Sequence, residues 1–495
     1  PHASSLTGPR EARRSRRSRN LEPRACDTAN PNLMTPKVTD ASIQHIHVVG
    51  IGGKGMSAIA AALLDLGKVV SGSDLKLSPQ AKRLQDRGAR IYEGHSAAHG
   101  RNADMVIYSS AIKPQNPELA ESRVRNQPVA SRASAIADLF NDRQGIAIAG
   151  THGKTTTTSM IGSILKDSEL DPTIIVGGVV KSINTNSVLG EGDIFVVEAD
   201  EYNKSLLELN PTIALINNID LEHVDCYKDI DDLKETFLQF ANSVPFYGAV
   251  SICKDSENAA SLINDIDKPI FTYGIHSKDV DFRAEDIVQE NGKTTFNLIT
   301  KNKKYPISIN LPGQYNVLNA LGAISIATIM NIPIDKITTS LNDFDGVKRR
   351  FDIKTHSEEL TIIDDYGHHP VEVESVIKAI KDNWDRRLVV AFQPHLYSRT
   401  AQFSKEFAQS LLSADSVLVT EIFASRESMN ESINSEKIVE EMKNLGHKSV
   451  SNTTLENLIN DIESNYKKGD IILMIGAGNI RPVSYTNLRA HETRH

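Results

Sequence analysis

Cysteine is scarce in this chain, and that scarcity limits its chemistry before any motif is read. Its three thiols, Cys26, Cys226 and Cys253, lie far apart with no C-x-x-C spacing. That suits a reducing compartment and offers no thiolate metal site. No run approaches the roughly 18 apolar residues that a membrane-spanning helix needs. Basic residues are in deficit: 55 Lys and Arg stand against 63 Asp and Glu, a formal net charge of −8. Neutralising phosphates across a surface takes a Lys/Arg excess on one face, so nucleic acid and anionic membranes are excluded as general partners. Low-complexity linkers and long repeats are missing as well. What remains is 495 residues, 40% of them hydrophobic and 24% charged. At roughly 100 to 200 residues per domain this predicts about three domains.

The two ends differ from the body. Residues 1–33 carry the cluster "PREARRSRRSRN"; Glu11, Glu22 and Asp27 count against a transit peptide, and no apolar signal core follows. We expect this stretch to be foreign or disordered, with the body starting at Met34. The tail 481–495, "RPVSYTNLRAHETRH", has no apolar period and is expected to be foreign too.

The body repeats strand, turn and helix. "IQHIHVVGIGGKGMSAIAAALLDLG" reads as a buried strand, a glycine turn and an apolar-faced helix ended by Gly67, and "KVVSGSD" supplies the next strand. A second unit opens at "QGIAIAGTHGKTTTTSMIGSIL" and continues through "IFVVEADE" and "TIALINNIDLEH", with a small antiparallel insertion predicted over "TTFNLITKNKKYPISINL". "LTIIDDYGHHP", "RRLVVAFQPHLYSRT", "SVLVTEIFASRE" and "DIILMIGAGNI" form a third set, alternating with helices near 371–380 and 437–445. The fold class expected is α/β: three consecutive domains, over 34–140, 141–346 and 347–480, each a mostly parallel sheet flanked by helices. The first and last are Rossmann-like, and the central one is of P-loop type.

Two stretches look like phosphate cradles. Gly50, Gly52 and Gly55 have G-x-G-x-x-G spacing after a strand, which gives a tight turn and an open helix N-terminus. That spacing suits any pyrophosphate and does not by itself separate UDP from NAD; Asp74 stands near the place where an acidic residue would take an adenosine ribose. In "AIAGTHGKTTTT", Gly150 and Gly153 let backbone N–H groups approach phosphate, Lys154 can reach the terminal phosphates, and the Thr155 hydroxyl can hold a metal ion. It is a variant loop, because Ile148 stands where the first glycine would be. Glu198, Asp200 and Glu201 close one strand of the same unit, and His223 with Asp225 follows another. Hard oxygens plus one imidazole suit Mg²⁺ or Mn²⁺.

Eight motifs in order, "GIGGKGMSAIA", "GTHGKTTTTSMI", "VEADE", "NNIDLEHVD", "GQYNVLNALGAISIA", "GVKRRFD", "DDYGHHP" and "FQPHLYSRT", resemble the Mur ligases from about residue 43 to 480. The resemblance implies successive UDP-sugar, ATP and amino-acid domains in a cytoplasmic enzyme, a monomer or weak homodimer, whose partners are small molecules. The implied reaction uses ATP to join L-alanine to the lactyl carboxylate of UDP-N-acetylmuramate through an acyl phosphate. ATP would meet Gly150, Thr151, His152, Gly153, Lys154, Thr155 and Thr156, with Asn316 and Asn319 near the adenine and Arg350 and Asp365 facing the nucleotide. Thr155, Glu198 and His223 would hold metal. Gly52, Gly53, Lys54, Gly55, Met56, Ser73, Asp74 and Ser109 would hold the UDP-sugar, since a ligase needs two cradles and a hydride-transfer enzyme has no use for the second. Tyr366, His368 and Arg399 would line the alanine site, and Lys154, His223, Arg350, His368 and Arg399 would carry catalysis. Three positions depart from the family pattern: Leu396 replaces the first of two arginines in P-H-R-Y-[ST]-R, Tyr315 stands where His is common, and Asn203 where Asp is common. Other readings are a murein-tripeptide recycling ligase, another ligase of the family, or a non-ligase nucleotide-binding regulator or dehydrogenase.

Overall fold

A computed structural model of the chain describes residues 36–480 except 110, 224, 225, 302, 426 and 431, and for Lys54 the backbone alone. The expectations for residues 1–33 and 481–495, for Cys26 and for Asp225 lie outside the described residues.

The first sheet holds β1 (His45–Val49), β2 (Val69–Asp74), β3 (Arg90–Glu93), β4 (Met105–Tyr108) and β5 (Val129–Ser131), in the order β3-β2-β1-β4-β5, all parallel. Strand order reverses beside β1, which opens a crevice at the carboxyl ends of β1 and β4. The glycine turn lies there. Helices α1 (Lys54–Asp65), α2 (Pro79–Asp86), α3 (Pro117–Val124) and α4 (Arg132–Phe140) flank the sheet. Ser78, Asn116 and Ser131 cap α2, α3 and α4 by accepting backbone N–H bonds, whereas α1 starts on Gly53 with no side-chain cap.

Ten strands form the second sheet: β6 (Gln144–Ala149), β7 (Thr173–Val180), β8 (Thr185–Val188), β9 (Ile194–Glu198), β10 (Ile213–Ile216), β11 (Ala249–Cys253), β12 (Ile270–Gly274), β13 (Phe282–Glu290), β14 (Lys293–Thr300) and β15 (Lys303–Ile309). Their order is β15-β14-β13-β12-β11-β10-β6-β9-β7-β8. Strand β6 sits between β10 and β9, so the loop after it again marks a reversal. The expected antiparallel segment is present and continues this sheet, because β13 pairs in parallel with β12 before β14 and β15 fold back on it. Helices α5 (Lys154–Asp167), α6 (Ile230–Asn242), α7 (Glu257–Ala260), α8 (Gln314–Ile329) and α9 (Ile334–Asp343) accompany it. Val317, Leu321 and Ile324 of α8 pack in one core with Ile161 and Leu165 of α5.

The third sheet contains β16 (Asp352–His356), β17 (Leu360–Asp365), β18 (Leu388–Phe392), β19 (Ser416–Val419), β20 (Val450–Asn452) and β21 (Asp470–Ile475), ordered β16-β17-β21-β18-β19-β20. Only the edge strand β16 runs antiparallel. Helices α10 (Pro370–Asn383), α11 (Tyr397–Leu411), α12 (Glu436–Asn444) and α13 (Leu458–Asn465) cover it. With helices packed on it, the sheet buries strands β17, β18 and β21 end to end, which is why they read as continuous apolar runs and not as alternating ones.

Under the first glycine turn lies a charged core that the sequence does not announce. Glu118 of α3 is buried, and its carboxylate accepts from Ser73 Oγ at 2.7 Å, with His95 Nδ1 at 3.1 Å, His99 Nδ1 at 3.0 Å and His47 Nε2 at 3.6 Å. Burial alone would raise this carboxyl, but the nearby His47 and the bonds from Ser73 and His95 outweigh it and bring it down to about 2. Its folded value lies below its unfolded value of 4.5. The stabilisation is therefore complete above that pH and is lost as pH falls towards 2, up to about 3 kcal/mol in all. In chemical denaturation, Glu118→Gln is expected to be markedly less stable than the parent near neutral pH, with the gap narrowing steadily as pH falls from about 4.5 towards 2. A gap that stays constant over that range would show that the ionised carboxylate does not support the turn.

Candidate active site

Around the first turn, Gly50 adopts φ 81° and both its N–H and that of Ile51 donate to the Ser73 carbonyl, at 2.8 and 3.0 Å. Asp74 Oδ2 accepts from the Gly52 N–H at 2.9 Å, and Ser109 packs where a Cβ on Gly50 would come within 3.3 Å of it. Ser109 thus sits against the turn at Gly50, and Gly52, Gly53 and Gly55 follow it into the start of α1. Met56 is buried in the core and the Ser73 hydroxyl points down to Glu118, so these two present backbone, not side chain, to the turn. Arg132 reaches over Gly55, where a Cβ would lie 2.6 Å from Nη1, and its Nη2 donates to Asp200 Oδ2 at 3.2 Å. This guanidinium links the first cradle to the central one.

The second cradle follows β6. Helix α5 begins on Gly153, at φ 83° and with no side-chain cap. Lys154 Nζ folds back on the Gly150 carbonyl and pairs with Glu201 Oε2 at 2.7 Å. Burial would lower the Lys154 ammonium, but Glu201 and Asp200 outweigh burial and keep it charged. Glu201 is likewise pushed up by burial, yet Lys154 and His223 bring it down to about 2. Beneath the loop a relay of buried polar groups runs from Tyr273 Oη to Asn217 Oδ1 (2.9 Å), from Asn217 Nδ2 to Thr157 Oγ1 (3.1 Å) and from Thr157 to Asn319 Oδ1 (3.1 Å). Asn319 in turn donates to Asn316 Oδ1 at 3.2 Å. Both asparagines line the cavity while bonded to each other and to the loop's support.

Two cavities meet at this loop. The larger, of about 500 Å³, is lined by His152, Gly153, Thr155, Thr156, Asn316, Asn319, Arg350 and Asp365 together with Asn217, Tyr273 and Tyr315. The smaller, of about 310 Å³, is lined by Thr151, Lys154, Glu198, Glu201, Glu222, His223, Tyr366 and His368. Gly153, Thr155, Arg350 and Glu372 belong to both. Glu372 holds the wall between them. It accepts from the His368 N–H at 2.9 Å, lies 3.3 Å from His152 Nδ1 and pairs with Arg350 at 3.7 Å. Burial opposes its ionisation, but His368 and His152 drive the carboxyl well below the usual range. Asp365 accepts from the N–H groups of Phe351 and Gly367 at 2.7 Å each, and burial pushes it up to about 6. Burial brings His368 down to about 4, so its imidazole is neutral near pH 7.

Metal-type donors cluster on one side of the smaller cavity. Ligand atoms of Glu201, Glu222 and His223 lie within 4.8 Å of one another. Glu198 stands apart from that trio, accepting from the Gly177 N–H at 2.7 Å, and burial raises its carboxyl. Two or three carboxylates, an imidazole and the Thr155 hydroxyl at a helix start form a hard donor set that fits a divalent cation. Arg399, on α11, lies behind this cavity, with Nη2 3.3 Å from Glu222 Oε1 and Nη1 3.3 Å from His395 Nδ1. Leu396 is buried at the start of α11 with φ 68°, one turn before Arg399, and the half-buried Tyr315 lines the larger cavity. Asn203 sits in the turn after Glu201 at φ 58°.

Arg132, Glu222, Glu372, Asn217 and Tyr273 escape sequence reading. A helix-start signal was available for one of them, since Glu372 is an acidic residue in the first turn of α10, just after Pro370. For the others no local pattern exists.

The fold and site define an ATP-type α/β ligase architecture, and the comparisons agree. Residues 45–144 match the Mur ligase family catalytic domain, 148–327 the Mur ligase middle domain and 349–478 the Mur ligase glutamate ligase domain. The chain belongs to the Mur ligase family. It is 46% identical over 446 residues to the UDP-N-acetylmuramate--L-alanine ligase of Geotalea uraniireducens, covering 90% of this chain and 97% of that one. With the enzyme of the same name from Desulfotalea psychrophila the identity is 45% over 440 residues, 88% and 96% of the two chains. Among solved structures, the UDP-N-acetylmuramate-alanine ligase of Thermotoga maritima superposes with a TM-score of 0.78 at 28% identity, covering 92% of this chain and all of that one. A murein peptide ligase from Psychrobacter arcticus shares the fold, with a TM-score of 0.69 at 24% identity over 90% and 98% of the two chains.

Gly153 is the geometric pivot of the second cradle. A Cβ there would lie 2.3 Å from Asn319 Oδ1 and 3.0 Å from Asn217 Nδ2, on a backbone at φ 83°. Gly153→Ala is expected to weaken ATP and ADP binding by about tenfold or more in calorimetric titration while leaving the first cradle's ligand unaffected. Unchanged nucleotide affinity would show that this loop does not receive the phosphates.

Proposed function

We infer that this chain is an ATP-dependent ligase joining L-alanine to UDP-N-acetylmuramate, a step in making peptidoglycan precursors. The observation that carries this reading is the pair of adjoining cavities that share the Gly153–Thr155 loop, Arg350 and Glu372. Phosphate activation and amide formation need one such wall, with nucleotide on one side and the reacting carboxylate on the other.

Residues 34–140 would hold the UDP-sugar, 141–346 the ATP and 347–480 the amino acid. The diphosphate would rest on the uncapped start of α1 at Gly52–Met56, with Arg132 above it and Asp74 and Ser109 beside it. Asp74 argues against an adenosine ribose here, because its carboxylate already accepts the Gly52 N–H. ATP would fill the larger cavity, its phosphates on Gly150–Thr156, its base near Asn316 and Asn319, with Asp365 facing it. The lactyl carboxylate attacks the γ-phosphorus and ADP departs. Lys154 and Arg350 stabilise the charge that spreads over the transferring group. Thr155, Glu198 and His223 would hold Mg²⁺ (or Mn²⁺), which, when bound, neutralises phosphate charge. The alanine amine then forms the C–N bond as the C–O bond to phosphate breaks; of the two protons the ammonium loses, one leaves with the phosphate. Tyr366, His368 and Arg399 would receive the amino acid. The His368 Nδ1 lies 3.0 Å from the Tyr366 carbonyl. With Nδ1–H donating there, Nε2 keeps its lone pair for a proton from the amine.

No helix among the described residues is long and apolar enough to cross a membrane; we place the enzyme in the cytoplasm, as a monomer or weak homodimer with small-molecule partners only. The test offers UDP-N-acetylmuramate and ATP with L-alanine, glycine, L-serine or a murein tripeptide and follows ADP release. L-Alanine is expected to be preferred, and Lys154→Ala to cut turnover by about 10²-fold or more while UDP-sugar binding persists. Preference for the tripeptide would transfer the chain to the recycling ligases, and near-normal ADP release by Lys154→Ala would remove the second cradle from the mechanism.

A further inference from the structure

Glu222 belongs to the cluster of metal-type donors in the smaller cavity, yet the reaction above gives it no task of its own. Its neighbours are committed. Glu201 is held by Lys154 at 2.7 Å, Glu198 by the Gly177 N–H at 2.7 Å, Asp200 by the Tyr202 N–H at 3.1 Å and Glu372 by the His368 N–H at 2.9 Å. Among the described residues Glu222 makes no hydrogen bond shorter than the 3.3 Å contact from Arg399, and its other oxygen lies 3.8 Å from His223 Nε2. Charge-assisted N–H···O bonds normally close to about 2.7–2.9 Å. This pair is buried, with Glu222 at 8% and Arg399 at 9% exposure, and yet it is not closed.

We propose that Glu222 receives the α-ammonium of the incoming amino acid, so that Glu222 and Arg399 together read a zwitterion. The proposal rests on the ligase reading. The two side chains come from different sheets, Glu222 from the loop after β10 and Arg399 from the first turn of α11, and they meet where the smaller cavity abuts the third sheet. An α-amino acid carries its two charges on adjacent carbons' substituents, a spacing that fits between a guanidinium and a carboxylate already facing each other. A lone amine or a lone carboxylate would leave one member of a buried pair uncompensated, which is costly. His395 fixes the guanidinium from the far side through Nη1, leaving Nη2 directed at Glu222. With Leu396 in place of a second arginine, the carboxylate has one guanidinium only, and the ammonium contact supplies the second point of recognition.

The test compares L-alanine with hydroxylamine, a neutral nucleophile without a carboxylate that traps an acyl phosphate as the hydroxamate. Glu222→Gln is expected to raise the KM for L-alanine by about ten- to a hundredfold, the worth of one charged hydrogen bond. The KM values for ATP and UDP-N-acetylmuramate should move far less, hydroxamate formation should fall far less than alanine ligation, and Glu222→Asp should recover part of the loss. A lower alanine KM in Glu222→Gln would mean that the carboxylate only occupies the seat of the substrate carboxylate. Equal loss with alanine and hydroxylamine would mean that it clamps the sheets together or holds a cation. Either result overturns the proposal. If the parent enzyme forms no hydroxamate from ATP and UDP-N-acetylmuramate, the ligase reading fails instead.

Discussion

Glu372 is one carboxylate on which three parts of the molecule converge: the central loop through His152, the link between the second and third sheets through Arg350, and its own helix start through the His368 N–H. A buried carboxylate with fewer partners would take up a proton or draw in water. Here the surrounding cations and N–H groups keep it charged, and in doing so they fix the wall that separates the two cavities. The same logic recurs at each charged group nearby. Lys154 is matched by Glu201, Arg132 by Asp200 and Arg349 by the carbonyls of Gly476 and Gly478. The site is a set of paired charges waiting for substrate groups of the same signs.

The two glycine turns do the same job by different means. Each follows the strand beside which its sheet reverses order, and each ends in a helix whose first residues lack a side-chain cap. Helices α2, α3 and α4, which do not begin on these turns, are capped by Ser, Asn and Ser, while α8, α9 and α11 also start without a side-chain cap. Leaving a helix start uncapped is mildly destabilising, and an anion that accepts the open N–H groups compensates for it. The first turn is supported from below by Glu118 and three histidines, the second by the chain of hydrogen bonds from Tyr273 to Asn316. The first support lies beneath its turn, whereas Asn217, Tyr273, Asn316 and Asn319 of the second also line the larger cavity; both set the height and tilt of the turn.

What could be read along the chain was whatever is local. Strand β18 is a continuous apolar run and β6 nearly one, and the glycines at 50, 150 and 153 mark backbone that other residues adopt at a cost. The lysine, threonines and acidic strand ends follow within a few residues of these signals. The sequence therefore marks both glycine turns, and the structure brings Lys154, Thr155, Glu198 and His223 to one cavity. What the sequence leaves open is direction. Nothing local says that the Ser73 hydroxyl turns inward to Glu118, or that β13–β15 extend the central sheet and do not form a piece of their own.

The sequence alone determined the α/β class, the succession of units and the chemical types at the strand ends, because period, glycine placement and residue identity act over a few positions. Only the tertiary structure decided which charges face each other. His152 meets Glu372 across 220 residues, Arg399 meets Glu222 across 177 and Arg132 meets Asp200 across 68. A charge pair is set by distance in space, and for residues carried on different sheets that distance is fixed only when the hydrophobic cores have packed.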